Sequence, residues 1–303
     1  MQKMFKALGV VMFVAQAGLS MAAPIQMQID QAVSHGSDAL GVGSAITLKI
    51  PTETNAHSGI FLGRMLNWDQ STSQYMVVDA EKNRVYMIDE KDLEMPKMTT
   101  QPVLRQYDQV GGTCTGYAID DLMQEMNLNG FEGNGALKTT LSTEKGRTQL
   151  LVDSINQYYL VTQHKNSIEG ILSMYGKQYG FKCPKKMFQD TESAIAWIEK
   201  AVNTTPVLVS FNIGPNMVTS AYTMEDYSKP SPLLDNRLWV PRKTGERNSG
   251  GHSIVAIAAF EVNHRKKLLM LDSDWPMPRI WDAEQYLGAP KTAISEIEFY
   301  GCK

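Results

Sequence analysis

The stretch "HSIVAIAAFEV", residues 252–262, constrains the fold more than any other, because it is an almost unbroken apolar run of strand-forming residues. A strand of that kind is buried. "HRKK", 264–267, turns it into "LLMLDSDW", 268–275, so two buried strands make a hairpin. In an antiparallel pair the start of one strand lies beside the end of the other. Asp272, ending the second strand, is therefore brought close to His252, opening the first. Gly250 and Gly251 remove bulk beside His252, which suits a base facing a cleft. A carboxylate at Asp272 would hold the tautomer and orientation of the imidazole. Asp274 is the alternative acid, and Trp275 could shield the pair from water. The basic residues of the turn read as solvated.

Helices come before these strands. In "DQVGGTCTGYAIDDLM" and the residues after it, Ala118, Ile119, Leu122, Met123 and Met126 form one stripe. Asp120, Asp121, Gln124 and Glu125 lie opposite, the pattern of an amphipathic helix. "NSIEGILSMYGKQYG" is a second helix, ended near Gly180. "TESAIAWIEKAVN" is a third, with Thr191 as its N-cap, and it leads into the strand "TPVLVSFNI". Helices followed by hairpin-connected strands make an α+β domain. Upstream, "AITLKI", "GIFLGRML", "YMVVDA" and "RVYMID" read as short strands. This divides the chain into a leader at 1–22, a linker at 23–43, a small β region at 44–100 and a main domain at 101–303. The β region is either an accessory domain or a pro-segment.

The leader has Lys3 and Lys6, an apolar run from Ala7 to Ala17, and small residues at Ser20 and Ala22. That is a secretory signal layout, cut after Ala22 or Ala23. The run is shorter than the roughly 20 apolar residues a membrane anchor needs. The expected location is secreted or periplasmic, with no stable membrane insertion. Of three cysteines, Cys183 lies in a loop and Cys302 near the C-terminus, a natural pair for a disulfide in an oxidising compartment. Cys114 is then free. With a net charge of −3, and the longest basic cluster, His264 to Lys267, read as a solvated turn, nothing indicates a nucleic-acid footprint. No HExxH, CxxC or Walker pattern indicates a metal or nucleotide cofactor.

Cys114 follows Gly111, Gly112 and Thr113 at the start of the first helix. A helix N-terminus favours an anion, and a thiolate is the reactive form of cysteine. Its backbone N–H is one of the unpaired donors of a helix start, suited to an oxyanion. A small buried hydrophobe is the alternative reading of Cys114. The chain order of Cys114, His252 and Asp272 weighs toward nucleophile, base and orienting acid.

The same residues resemble the papain-like cysteine peptidases. "QVGGTCTGYAIDDLM" is similar to their Gln-then-Cys helix, nearest to secreted bacterial staphopain-type and C39-like branches. "AVNTTPVLVSFNI", "GGHSIVAIAAF" and "LMLDSDW" are similar to the segments that follow. The resemblance covers about 102–303. It implies a papain-like fold: a helical half carries the cysteine helix, and an antiparallel β half carries His252 and Asp272. It also implies an endopeptidase working on peptide or protein through an acyl-enzyme. Gln109 would be the oxyanion donor, with Gln106 as a fallback, because Gln109 stands five residues before Cys114 where the family has six. A transglutaminase-like acyltransferase with the same triad and a catalytically inactive papain-like binding protein are the alternatives.

Overall fold

The computed structural model describes residues 25–31, 42–66, 73–82, 84–95, 103–105, 109, 113–128, 135–159, 167–213, 250–273, 278–289, 291 and 294–303. The leader at 1–22, Gln106, Asp274 and Trp275 lie outside the described residues.

The expected α+β class is found. The sheet that carries His252 consists of β8 (Lys185–Lys186), β9 (Val207–Ile213), β10 (Gly250–Val262), β11 (Arg265–Leu271), β12 (Arg279–Asp282) and β13 (Ile294–Gly301). Its order is β12-β11-β10-β9-β13-β8, and every pairing is antiparallel. β10 and β11 are the expected hairpin, joined by Asn263 and His264 at φ 51° and 59°. A two-residue turn of left-handed residues matches the twist of the flanking strands. The turn is therefore shorter than "HRKK": Arg265–Lys267 belong to β11, and Lys267 is buried, donating to Asp282 at 3.0 Å.

Both faces of this sheet are covered, which explains the unbroken apolar run. On one face Ile254, Ala256, Leu268 and Met270 pack with α5 (Thr191–Val202) and α6 (Ala283–Leu287). Val255 and Leu271 face the other side, under α1 (Cys114–Leu128), α2 (Gly135–Leu141), α3 (Glu144–Tyr159) and α4 (Ile168–Tyr179). A bulge between Ala256 and Ala258 reverses the alternation of β10. Ala258, Phe260 and Val262 then join Leu269 in a further core.

That further core is shared with a second sheet. It contains β1 (Ile25–Gln31), β2 (Ser44–Lys49), β3 (His57–Leu66), β4 (Ser73–Asp79), β5 (Arg84–Asp89), β6 (Leu93–Glu94) and β7 (Val103–Arg105). The order is β5-β4-β3-β2-β1-β6, with β7 parallel to β3. Period-two alternation sends Met76 and Val78 toward Phe260 and Leu269, and Tyr75 and Val77 to the opposite core with Ile46 and Phe61. The four expected strands are all present. Residues 25–31, expected to be linker, instead form β1, whose Ile25 and Met27 are buried opposite polar Gln26 and Gln28.

Two helix readings change. α5 is capped by Asp190, which accepts from the Ser193 N–H at 2.7 Å; Thr191 is its first residue. α1 is buried from Cys114 through Met126, polar residues included. It is enclosed by β7, β9, β10, α2 and α3, so its acidic side faces protein rather than water. Gln124 donates to Asp120 at 3.0 Å. Burial and the neighbouring Asp120, Glu125 and Asp272 push the Asp121 carboxyl well above its ordinary range. α4 forms as expected, capped by Ser167 and ended by left-handed Gly180.

Candidate active site

α1 begins at Cys114 because the Thr113 carbonyl accepts the first helical N–H groups, from Gly116 at 3.0 Å and Tyr117 at 3.3 Å. The thiol is thereby fixed in the opening turn. A polar stitch seats that turn on the sheet: Thr115 Oγ1 lies 3.0 Å from Ser253 Oγ, which donates to Ser210 Oγ at 3.2 Å. Cys114 Sγ consequently sits 3.9 Å from the Gly251 carbonyl, immediately before His252, close enough for the His252 charge to act on the thiol.

The hairpin delivers the carboxylate. Val255 pairs with Leu271, so Asp272 comes back along the start of β10. His252 Nε2 donates to Asp272 Oδ1 at 2.9 Å, which leaves Nδ1 as the ring nitrogen for Cys114. Arg279, on β12, donates to Asp272 Oδ2 at 2.8 Å. His252, Asp272 and Arg279 thus form one hydrogen-bonded row that ends beside Cys114, with both carboxylate oxygens engaged.

The electrostatics follow from this order. Burial pushes the Cys114 thiol up, but His252 beside it, with smaller help from the Ser253 backbone and Thr115, brings it below its ordinary value. Burial alone would depress His252; the Asp272 charge and bond, and then Cys114, raise it to about 10. Asp272, though buried, is held well below the usual carboxylate range by His252 and Arg279. All three shifts favour a thiolate–imidazolium pair over an uncharged one.

Gln109 is tied to the same strand end. Its N–H donates to the Ser273 carbonyl at 2.8 Å, and Ser273 Oγ donates to its Oε1 at 2.9 Å. With Oε1 held by Ser273, the donor end of the amide is Nε2, the end an oxyanion needs.

Cys183 and Cys302 are joined by a disulfide 119 residues apart in sequence, and Cys114 is free, both as expected. Four contributors were not marked by the sequence. Arg279 sits beyond the motif residues. Ser273 is hidden inside "DSD". Phe211 meets the His252 ring edge-on at 5.6 Å and shields it on the β9 side. Tyr159 closes α3, near enough to Cys114 that the thiol helps to raise its phenol. Only the Arg279 position carries a signal, a cation seven residues beyond an acid. Among the described residues, no group of three His, Cys, Asp or Glu side chains is placed to hold a metal, and no helix is long and apolar enough to cross a membrane.

No family model matches the chain, and no curated protein is significantly similar to it in sequence.

Proposed function

We propose that this protein is an exported papain-like cysteine endopeptidase. The observation that carries the reading is the row from Cys114 through His252 and Asp272 to Arg279, with the thiol at a helix N-terminus. Cys114 Sγ attacks the scissile carbonyl carbon and forms the C–S bond. Charge develops on the carbonyl oxygen, where Gln109 Nε2 and the Cys114 backbone N–H are the donors this reading requires. His252 gives its proton to the leaving amine, then takes one from the water that releases the acyl group. Asp272 keeps the ring oriented and favours its protonated form, while Arg279 keeps Asp272 ionised. The leader and the disulfide support export, since disulfides persist in oxidising compartments. The shared core of the two sheets supports an accessory domain over a pro-segment for the N-terminal β region, because cleavage would expose Phe260 and Leu269.

The test is cleavage of an unfolded protein substrate, with Cys114→Ala as control and a primary amine added in parallel. The reading expects new N-termini from the wild type and none from the variant. Exclusive formation of amine adducts would replace it with acyl transfer. Equal cleavage by both proteins would remove Cys114 from the chemistry.

A further inference from the structure

A hydrogen bond joins the residue after the thiol to the residue after the imidazole. Thr115 Oγ1 and Ser253 Oγ are 3.0 Å apart, and both side chains are buried. Ser253 pairs with Ser210 across β10 and β9, and its hydroxyl donates to Ser210 Oγ at 3.2 Å. A buried hydroxyl left without a partner is costly, so two of them meeting at one point mark a built contact. The alternation of β10 shows what that contact holds. Ser253 and Val255 face α1, whereas His252 and Ile254 face the opposite side, where the ring meets Phe211 edge-on at 5.6 Å. The strand mouth is therefore gripped from both faces. Phe211 and Asp272 seat the ring, and Thr115 ties the other face to the start of α1.

Further along, α1 and β10 meet through apolar side chains, with Ala118 and Leu122 in one core with Val255. Apolar packing is non-directional and tolerates small slides, whereas a hydrogen bond has a narrow range of length and angle. Cys114 stands one residue before Thr115, at the open end of the helix, with Sγ 3.9 Å from the Gly251 carbonyl. The spacing of thiol and imidazole is thus set one residue away from each, where Thr115 meets Ser253. We propose that Thr115 and Ser253 are positioning residues, whose hydroxyl contact sets the register between Cys114 and His252 that thiolate formation and acyl transfer require. The proposal rests on Cys114 and His252 being the nucleophile and base of the reading above.

The test removes the Thr115 hydroxyl and keeps the volume. Wild type, Thr115→Val, Thr115→Ser and His252→Ala are compared by the pH dependence of Cys114 alkylation with iodoacetamide, read by mass spectrometry, and by kcat and KM on one peptide. An adjacent opposite charge shifts a group by about 1–3 pH units, so a loosened pair in Thr115→Val should raise the alkylation midpoint by about one unit, toward that of His252→Ala. A misplacement of about 1 Å costs about 10²-fold, so a smaller slide should lower kcat about tenfold while KM stays within about twofold. Thr115→Ser, which keeps the hydroxyl, should restore both the midpoint and kcat. Ser154→Ala is the packing control, because it breaks a similar buried bond, 3.1 Å to Tyr175 Oη, between α3 and α4. It should lower the melting temperature and leave the midpoint in place. An unmoved midpoint or an unchanged kcat in folded Thr115→Val overturns the positioning role alone. So does failure of Thr115→Ser to restore them, or a midpoint raised as far by Ser154→Ala. A wild-type midpoint at or above about 8.5, the ordinary thiol value, not raised by His252→Ala, overturns the nucleophile reading and this proposal with it. Should Thr115→Val fail to fold, Ser253→Ala is read by the same midpoint, and no rise refutes the role.

Discussion

Replacing Asp272 by Asn removes a charge while keeping a shape. The amide oxygen can still accept from His252 Nε2, as the carboxylate does at 2.9 Å. The other end becomes a donor facing Arg279, which now donates to Oδ2 at 2.8 Å. The ring therefore stays oriented, but it loses the anion that raises it, against burial, to about 10. An adjacent opposite charge shifts a group by about 1–3 pH units. The His252 titration in Asp272→Asn should fall by that amount, and the basic limb of kcat/KM should move to lower pH with it. Ring NMR follows the titration without relying on turnover. Stability changes too, since removing one partner of a buried ion pair costs about 3–5 kcal/mol. His252 lies above its ordinary 6.5 in the folded state, so its contribution is complete below that pH and is lost toward about 10. Asp272 lies below its ordinary 3.8, so its contribution holds above that pH and is lost in stronger acid. The stability gap between wild type and Asp272→Asn should be widest between these two ordinary values. A double variant with Arg279→Met should narrow it. An unmoved ring titration would refute the reasoning.

Gln109→Ala should lower kcat about 10²–10³-fold, as loss of one oxyanion donor does. Ser273→Ala should produce a smaller loss of the same kind, because it frees Gln109 Oε1 rather than removing the amide. Steady-state kinetics on one peptide checks both. Cys302→Ser opens a loop of 119 residues and should cost about 2–5 kcal/mol in urea unfolding. Cys114 alkylation should continue in that variant under native conditions, because the bridge joins residues flanking β8 and β13, which stand three and two strands along the sheet from β10.

The parts of the fold that were legible in the sequence share one property: each buries a regular apolar pattern. The β10–β11 hairpin, α4, α5 and the strands from β2 to β5 are of this kind. α3 was not legible because it buries only Arg147, Leu150 and Ser154, which leaves no apolar stripe to read. β1 was missed because glutamine and aspartate occupy its outward positions and mask the alternation of Ile25, Met27 and Ile29. α1 has a genuine apolar stripe, but its polar face meets neighbouring elements that residues far away in sequence supply. The same distinction applies at the site. Cys114, His252 and Asp272 are marked by local context, namely a helix start, a glycine-framed strand mouth and a strand end. Arg279, Phe211 and Tyr159 have ordinary local surroundings and reach the site only through sheet register and helix packing.

The central claim is that Cys114 is a nucleophile activated by His252. Intact-mass measurement and peptide mapping after treatment with a peptidyl epoxide, under conditions that spare the disulfide, address it most directly. The account predicts one adduct on Cys114 in the wild type and almost none in His252→Ala. A wild type that remains unlabelled, or labelling that is equal in the two proteins, would contradict it.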